Sequence, residues 1–344
     1  MILSQQLIEF CRRRDVDLAA GTVTRLYGGE VNDNWKIERP GASAVVLRRY
    51  RQTVEPEELD CELAAADVLA RSGFPTPAPI AVSGESLAGR WEMVEGRPTA
   101  LFDFVDGRHP VQRPGGYGSL DLELGRAAAG LAGRMQLLLA QDQQAGHQLP
   151  GARSPVRDPR HRVQAFLDGD LAEQPVFGSL IAPLRDLNDR MASLSDDQEE
   201  LPVGLIHNDI SPPNLLLGDD DSIVALLDFD DSAQTCLCYE LGPIISNFGK
   251  DQKRRIDADR VEMLITAYHA VRSLTPYECR LLPDLLAIHA AAEAVEVITN
   301  WLAAGRTDLD PMESYSAQQF LDLLAMRTEL QSRIISEQTN DHQR

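Results

Sequence analysis

Apolar and polar positions change period several times along the chain, and each change marks an element. Val23 to Tyr27 and Asn34 to Glu38 read as strands around Gly28-Gly29-Glu30-Val31-Asn32-Asp33, and Ala44 to Tyr50 is a third strand rich in β-branched residues. Pro56 to Ser72 switches to a helical period, with Leu59, Leu63, Ala66, Val68 and Leu69 supplying the apolar positions. It stops at Gly73 and the prolines Pro75, Pro77 and Pro79. Trp91 to Val94 and Thr99 to Phe104 form a strand pair joined by Glu95-Gly96-Arg97-Pro98. Beyond it the chain turns helical: Ser119 to Ala140, Ile181 to Leu194, Val261 to Arg272, Thr275 to Trp301 and Ser314 to Ile335. Two short apolar runs of strand length, Gly204 to Ile206 and Ile223 to Leu227, interrupt that series. Residues 142–162, rich in Pro, Gly, Gln and Arg, predict an irregular insertion. The pattern is α+β: a strand-rich first third, then a mainly helical remainder.

Composition narrows the class. At 344 residues and 43% hydrophobic the chain is long enough for one large core or two modest ones. No uninterrupted apolar run approaches the length of a membrane span. Met1 to Arg14 places its arginines after its apolar positions, the wrong order for a secretory signal, and predicts an amphipathic helix with Leu3, Leu7, Ile8 and Cys11 on one side. Five scattered cysteines, an odd number, point to a reducing, cytoplasmic setting, with Cys236 and Cys238 as core packing. A net charge of −20 argues against nucleic acid and anionic membranes as partners. It leaves an anionic nucleotide open, because local donors and a metal decide that case. The acidic field suits solubility, or the attraction of a cationic substrate.

The chemistry concentrates between Gly204 and Asp231. Both apolar runs end in acids, so a hairpin between them would collect Asp209, Asn214 and Asp228 at one end. Two carboxylates and an amide suit Mg²⁺, which prefers a few oxygen ligands plus substrate phosphates. The same residue types also make ordinary turns.

His207-Asn208-Asp209 with Asn214, followed by Asp228-Phe229-Asp230, resembles the catalytic loop and metal-binding segment of the aminoglycoside phosphotransferase and choline kinase superfamily. The resemblance implies a two-lobed protein-kinase-like fold, with a small β-rich lobe over residues 1–106 and a large mainly helical lobe over 107–344. It implies ATP and Mg²⁺ as cofactors, Asp209 as the base that takes the acceptor's hydroxyl proton, and Asn214 and Asp228 as metal ligands. Gly28, Gly29 and Asn32 fall where that superfamily carries its phosphate-covering loop. Arg48 stands where the superfamily has a phosphate-pairing lysine, and Glu62 where an ion-pair glutamate belongs, although a solvated helix glutamate is the commoner fate of such a residue. The backbone near Asp103 and Val105 matches the adenine-binding hinge. Glu240 replaces the aspartate that usually follows the metal-binding segment, and is expected to be structural.

The same resemblance implies a small-molecule hydroxyl as acceptor, and the helix from Leu285 to Trp301 is where its identity is expected to be written. His289, Glu293, Glu296 and Asn300 recur at intervals that place them on one face. They are either an exposed polar stripe or a substrate wall. Asp230 and Asp231 lie beside the metal segment as further substrate-contact candidates. The overall layout resembles the kinase-like bacterial homoserine kinases, while Glu293 in the middle of this helix favours an amine or polyol over a free carboxylate. Three readings stay open: a homoserine or amino-alcohol kinase, an aminoglycoside or sugar phosphotransferase, and a non-catalytic nucleotide-binding module. The arginines Arg153, Arg157, Arg160 and Arg162 suit a solvated loop or an anion site.

Overall fold

The structure is a computed structural model that describes residues 4–18, 21–26, 32–82, 89–111, 118–144, 149, 159–194, 201–306 and 309–341. The chain opens on α1 (Gln5–Arg12), capped by the Ser4 hydroxyl, which accepts the Leu7 N–H at 3.3 Å. Then come β1 (Thr22–Leu26), β2 (Asp33–Arg39), β3 (Ala42–Arg49), α2 (Pro56–Arg71), β4 (Trp91–Val94) and β5 (Arg97–Asp103). The five strands form one antiparallel sheet in the order β1-β2-β3-β5-β4. Glu95 (φ 52°) and Gly96 (φ 73°) both take the left-handed conformation of a two-residue hairpin turn between β4 and β5.

Alternation along β3 divides its side chains between two cores. Val45 and Leu47 join Leu7, Phe10, Trp35 and Leu101 on the α1 side. Tyr50 packs with Leu59, Leu63 and Ala100 on the α2 side, and Arg48, of the same parity, faces that way. A guanidinium is thereby carried under a helix, where only opposite charge makes it tolerable.

The remaining elements are α3 (Leu122–Gln144), α4 (Pro159–Leu167), α5 (Gly178–Leu194), β6 (Val203–Ile206), β7 (Leu215–Leu217), β8 (Ile223–Leu226), β9 (Ala233–Cys236), α6 (Leu241–Phe248), α7 (Ala258–His269), α8 (Pro276–Ala303), α9 (Tyr315–Ala325) and α10 (Arg327–Asp341). Three expectations change. The two apolar runs, β6 and β8, do not pair with each other. Leu215 to Leu217 forms an unanticipated strand that takes the edge of β8, and β6 pairs with β9, Val203 opposite Cys236. The insertion is not irregular at its end, because Pro159 starts a helix that buries Val163 and Phe166. The last predicted helix breaks at Met326 into α9 and α10.

The chain divides into two compact units: described residues within Met1–Pro110, Leu138–Ala152 and Pro213–Asp231 form the first, and those within Val111–Leu137, Arg153–Pro212 and Ser232–Arg344 the second. The first is built on the five-stranded sheet. The second is mainly helical and centres on α8, which begins with a Thr275–Glu278 capping box and is buried on nearly every side as far as Ala294. Its Asp284 carboxylate is fully buried and accepts from Arg327 at 2.7 and 2.6 Å and from Arg190 at 3.4 Å, which ties α10 and α5 to α8. Among the described residues, no helix is long and apolar enough to cross a membrane.

Candidate active site

Within the first unit, β7 and β8 bring two of the expected metal ligands to one end. Leu215 pairs with Leu226, and the Leu227 N–H donates to the Asn214 carbonyl at 2.8 Å, so Asn214 and Asp228 flank the same end of the pair. The segment after α2 pins that end from the side. Leu226 N–H donates to Pro75 O at 2.8 Å and the Thr76 hydroxyl to Leu226 O at 3.0 Å. Asp228 follows with φ 67°, a left-handed conformation that a non-glycine residue rarely adopts and that clusters at functional sites.

Three of the expected phosphate and metal residues, Asn32, Arg48 and Asp228, meet here with the substrate-contact candidate Asp230. The Arg48 guanidinium donates to the Asp228 carboxylate and, at 3.3 Å, to Asp230. The Asn32 amide donates to Asp230 at 3.0 Å, while its carbonyl accepts the Arg51 N–H at 3.2 Å. Burial and the neighbouring Asp228 charge push Asp230 up to about 6, against the pull of Arg48. Asp231 is exposed, and Gly28 and Gly29 lie outside the described residues. The Asp103 N–H is used by Ala78 O at 2.9 Å, whereas the Val105 N–H has no backbone partner among the described residues.

Glu62 arrives on the buried side of α2 but meets a different partner. Its carboxylate accepts the Tyr50 hydroxyl at 2.9 Å, and among the described residues no ion pair joins it to Arg48, whose guanidinium is turned to the two aspartates. Burial holds Glu62 up to about 8, with the nearby Arg48 charge as the main opposing influence. Glu62 is therefore protonated at neutral pH. A folded-state pKa above the unfolded value means stability present at low pH and lost as pH rises through about 8. Melting temperature is expected to fall by about 2 °C between pH 7 and 9 through this group. Glu62→Gln, which keeps an oxygen for Tyr50, is expected to flatten that slope; an unchanged slope in a thermal melt series refutes the assignment.

Within the second unit, β6 delivers His207-Asn208-Asp209. The His207 and Asn208 N–H groups donate to the two Glu240 oxygens at 2.6 and 3.0 Å, and the Asp209 N–H donates to His207 Nδ1 at 3.2 Å. The accepting Nδ1 leaves a neutral ring's proton on Nε2. Asn208, at φ 66°, makes the sharp turn that lets one carboxylate reach both amides. Glu240 is fully buried and pushed up to about 7 by that burial, with the two backbone hydrogen bonds pulling the other way. Gln136 also reaches Glu240 and donates to Leu237 O at 3.1 Å, and the Tyr268 hydroxyl donates to Gln136. Glu240 is thus more than structural filler: it fixes the backbone that presents Asp209.

The polar face of α8 runs from buried to exposed. His289 is 6% exposed and its ring lies against Gly242, where a Cβ would come within 2.4 Å of it. Burial, then the Arg162 charge, hold His289 down to about 4, so it is neutral. Glu293 is half-buried, and Glu296 and Asn300 are exposed. Arg162, on α4, reaches this face and donates to Glu293 at 3.3 Å and to Glu296. A base therefore stands beside Glu293, supplied from another helix. The sequence signal for it was the helical spacing Pro159, Val163, Phe166. Arg153 and Arg157 lie outside the described residues.

The sequence pattern of the phosphotransferase enzyme family, APH, matches residues 22–274. The chain belongs to this family. It is a small-molecule phosphotransferase that delivers phosphate to a hydroxyl, with the α+β protein-kinase-like fold expected of it. A homoserine kinase of Gluconacetobacter diazotrophicus is 26% identical to this phosphotransferase over 297 residues, covering 85% of this chain and 86% of the relative. Two solved structures share its fold. An amicoumacin kinase in complex with AMP-PNP and Ca²⁺ superposes with a TM-score of 0.60 at 15% identity, covering 92% of this chain and 88% of its own. A microcompartment-associated aminopropanol kinase superposes with a TM-score of 0.59 at 18% identity, covering 92% and 95%.

Proposed function

We propose that this phosphotransferase is an ATP- and Mg²⁺-dependent kinase acting on the side-chain hydroxyl of a small amino acid, with homoserine as the first candidate acceptor. The observation that carries the substrate class is the alternation of charge where α4 meets α8: Arg162 of α4, bonded to Glu293 and Glu296 of α8, offers a guanidinium for a carboxylate and carboxylates for an ammonium group. His289 on the same face packs on Gly242, two residues beyond the glutamate that holds the Asp209 loop, which supports assigning this face to the acceptor. The homoserine kinase relatives support the same choice.

Asp228 and Asn214 fit a magnesium ion by their chemistry. They are oxygen donors at one end of a strand pair, and Asp228 already bonds a cation, the Arg48 guanidinium. When bound, Mg-ATP supplies the phosphoryl group and neutralises the charge that develops on it. The rest falls to the chain. Asp209 accepts the hydroxyl proton and aims the oxygen, Glu240 holds the loop that carries Asp209, and Arg48 and Asn32 steady phosphate oxygens. Asp103 and Val105 border the adenine, Val105 by its N–H. Asp230, Asp231 and Asn300 are secondary contacts.

The test is ADP release with homoserine, amino alcohols, sugars and aminoglycosides as acceptors. Turnover is expected with the amino acid first. Arg162→Ala is expected to raise KM for it by about tenfold while leaving a matched amino alcohol, which lacks the carboxylate, little changed. Preference for the amino alcohol in the wild type overturns the amino-acid assignment. Release no faster than water-driven ATP hydrolysis with every acceptor overturns the kinase assignment in favour of a non-catalytic nucleotide-binding module.

A further inference from the structure

The Arg48 guanidinium sits on the Asp228 carboxylate, one of the two side chains assigned above to the metal. Arg48 is 8% exposed, its ring-stacking partner is Tyr50 at 4.8 Å, and its charge is satisfied by Asp228 and Asp230 together. Glu62, the buried acid of α2, accepts the Tyr50 hydroxyl and makes no ion pair with Arg48 among the described residues. Asn32 fixes the second arm by donating to Asp230 and receiving the Arg51 N–H on its other side. A guanidinium differs from an ammonium here in a specific way. One of its terminal nitrogens, Nη2, bonds both carboxylates while its rigid plane is held over the Tyr50 ring, whereas a lysine ammonium is a point charge on a flexible stem with no plane to be held.

We propose that Arg48, anchored on Asp230, is a resident cation that closes the Asp228 carboxylate to free divalent metal and opens it only when the phosphates of a nucleotide take over its guanidinium. The residue in the lysine position thereby sets the order of binding, nucleotide before or together with metal. This rests on the kinase reading above for the identity of the phosphate ligand, but not for the closure itself, which concerns only side chains of the first unit. The physical basis is exchange between equivalent partners. A buried guanidinium stripped of its carboxylates is costly, so metal alone cannot displace it cheaply, whereas phosphate oxygens offer it anionic acceptors in exchange and leave Asp228 for the metal.

The experiment titrates Mn²⁺ into the full-length protein and reads free ion by electron paramagnetic resonance, with and without AMP-PNP, for the wild type, Arg48→Lys and Arg48→Met. Closure by a guanidinium held in place over Tyr50 predicts that Arg48→Lys, with charge unchanged, binds Mn²⁺ alone about tenfold more tightly than the wild type, and that added AMP-PNP tightens Mn²⁺ binding more in the wild type than in Arg48→Lys. Equal Mn²⁺ affinity in the wild type and Arg48→Lys, with tighter binding only in Arg48→Met, shows simple charge repulsion and overturns the proposal. If the wild type binds no AMP-PNP while Arg48→Lys still gains Mn²⁺ affinity, the closure stands and the kinase reading falls. Should either variant fail to fold, the Arg48 Nε–H resonance of the wild type decides. It is expected to stay in place with Mg²⁺ alone and to move with Mg²⁺ plus AMP-PNP; movement with Mg²⁺ alone overturns the proposal.

Discussion

Asp209→Asn is expected to lower turnover by on the order of 10²–10⁴-fold, the contribution a positioned base makes to proton transfer. The substitution keeps the size of the side chain and leaves its backbone N–H free to donate to His207 Nδ1, so the loop geometry should survive. It removes the only property the mechanism demands of this position, a carboxylate that can take the acceptor's proton. Because the loss falls on the transition state, kcat and kcat/KM should drop together, with acceptor KM little moved. The measurement is steady-state ADP release with the best acceptor of the panel, on protein whose circular dichroism matches the wild type. A folded variant that turns over at the wild-type rate would falsify the role of Asp209.

Glu240→Ala is expected to act on stability and turnover at once. The carboxylate is fully buried and accepts two N–H groups of the loop, and its removal leaves both donors without an acceptor. Each orphaned buried group costs about 1–3 kcal/mol. A loop displaced by about an ångström loses roughly 10²-fold in rate. Glu240→Gln keeps one accepting oxygen but turns an NH₂ toward the second amide, so an intermediate loss is expected. The pH response separates the two roles of this glutamate. Its folded pKa, raised to about 7, means that its stabilising contribution is lost as pH rises through 7, whereas accepting two hydrogen bonds favours the ionised form that appears over the same range. In the wild type, kcat should therefore climb from pH 6 to 8 while melting temperature declines, and both trends should weaken in Glu240→Gln. Thermal melts and pH–rate profiles on the same preparations check this; parallel rather than opposed trends would count against it.

The candidate site shows unevenly how far a sequence can be read. His207-Asn208-Asp209, Asn214 and Asp228 stand out because their spacing within 22 residues is fixed by short strands and turns. Even there, the assumed hairpin between the two apolar runs was replaced by two separate pairings, since Leu215 to Leu217 is too short a run to signal a strand on its own. The partner of Glu62 was not legible, because Tyr50, twelve residues earlier, competes for it only once β3 and α2 are packed. Arg162 was read as part of a loop because glycine, proline and glutamine dominate the residues before it.

The sequence by itself determined the elements and the residues that carry the chemistry. Strand and helix periods are set by contacts a few residues apart, and the apolar positions that satisfy them are visible in any short window. Only the tertiary structure decided which charges meet. Arg48 and Asp228 are 180 residues apart, Arg162 and Glu293 131, and Glu240 and His207 33. Ion pairs and hydrogen bonds depend on ångström distances and on burial, and neither quantity is encoded in separation along the chain. The choice of Arg48 for Asp228 rather than Glu62, and of Glu240 as the anchor of the catalytic loop, therefore emerged when the backbone brought distant carboxylates within reach of a few buried donors.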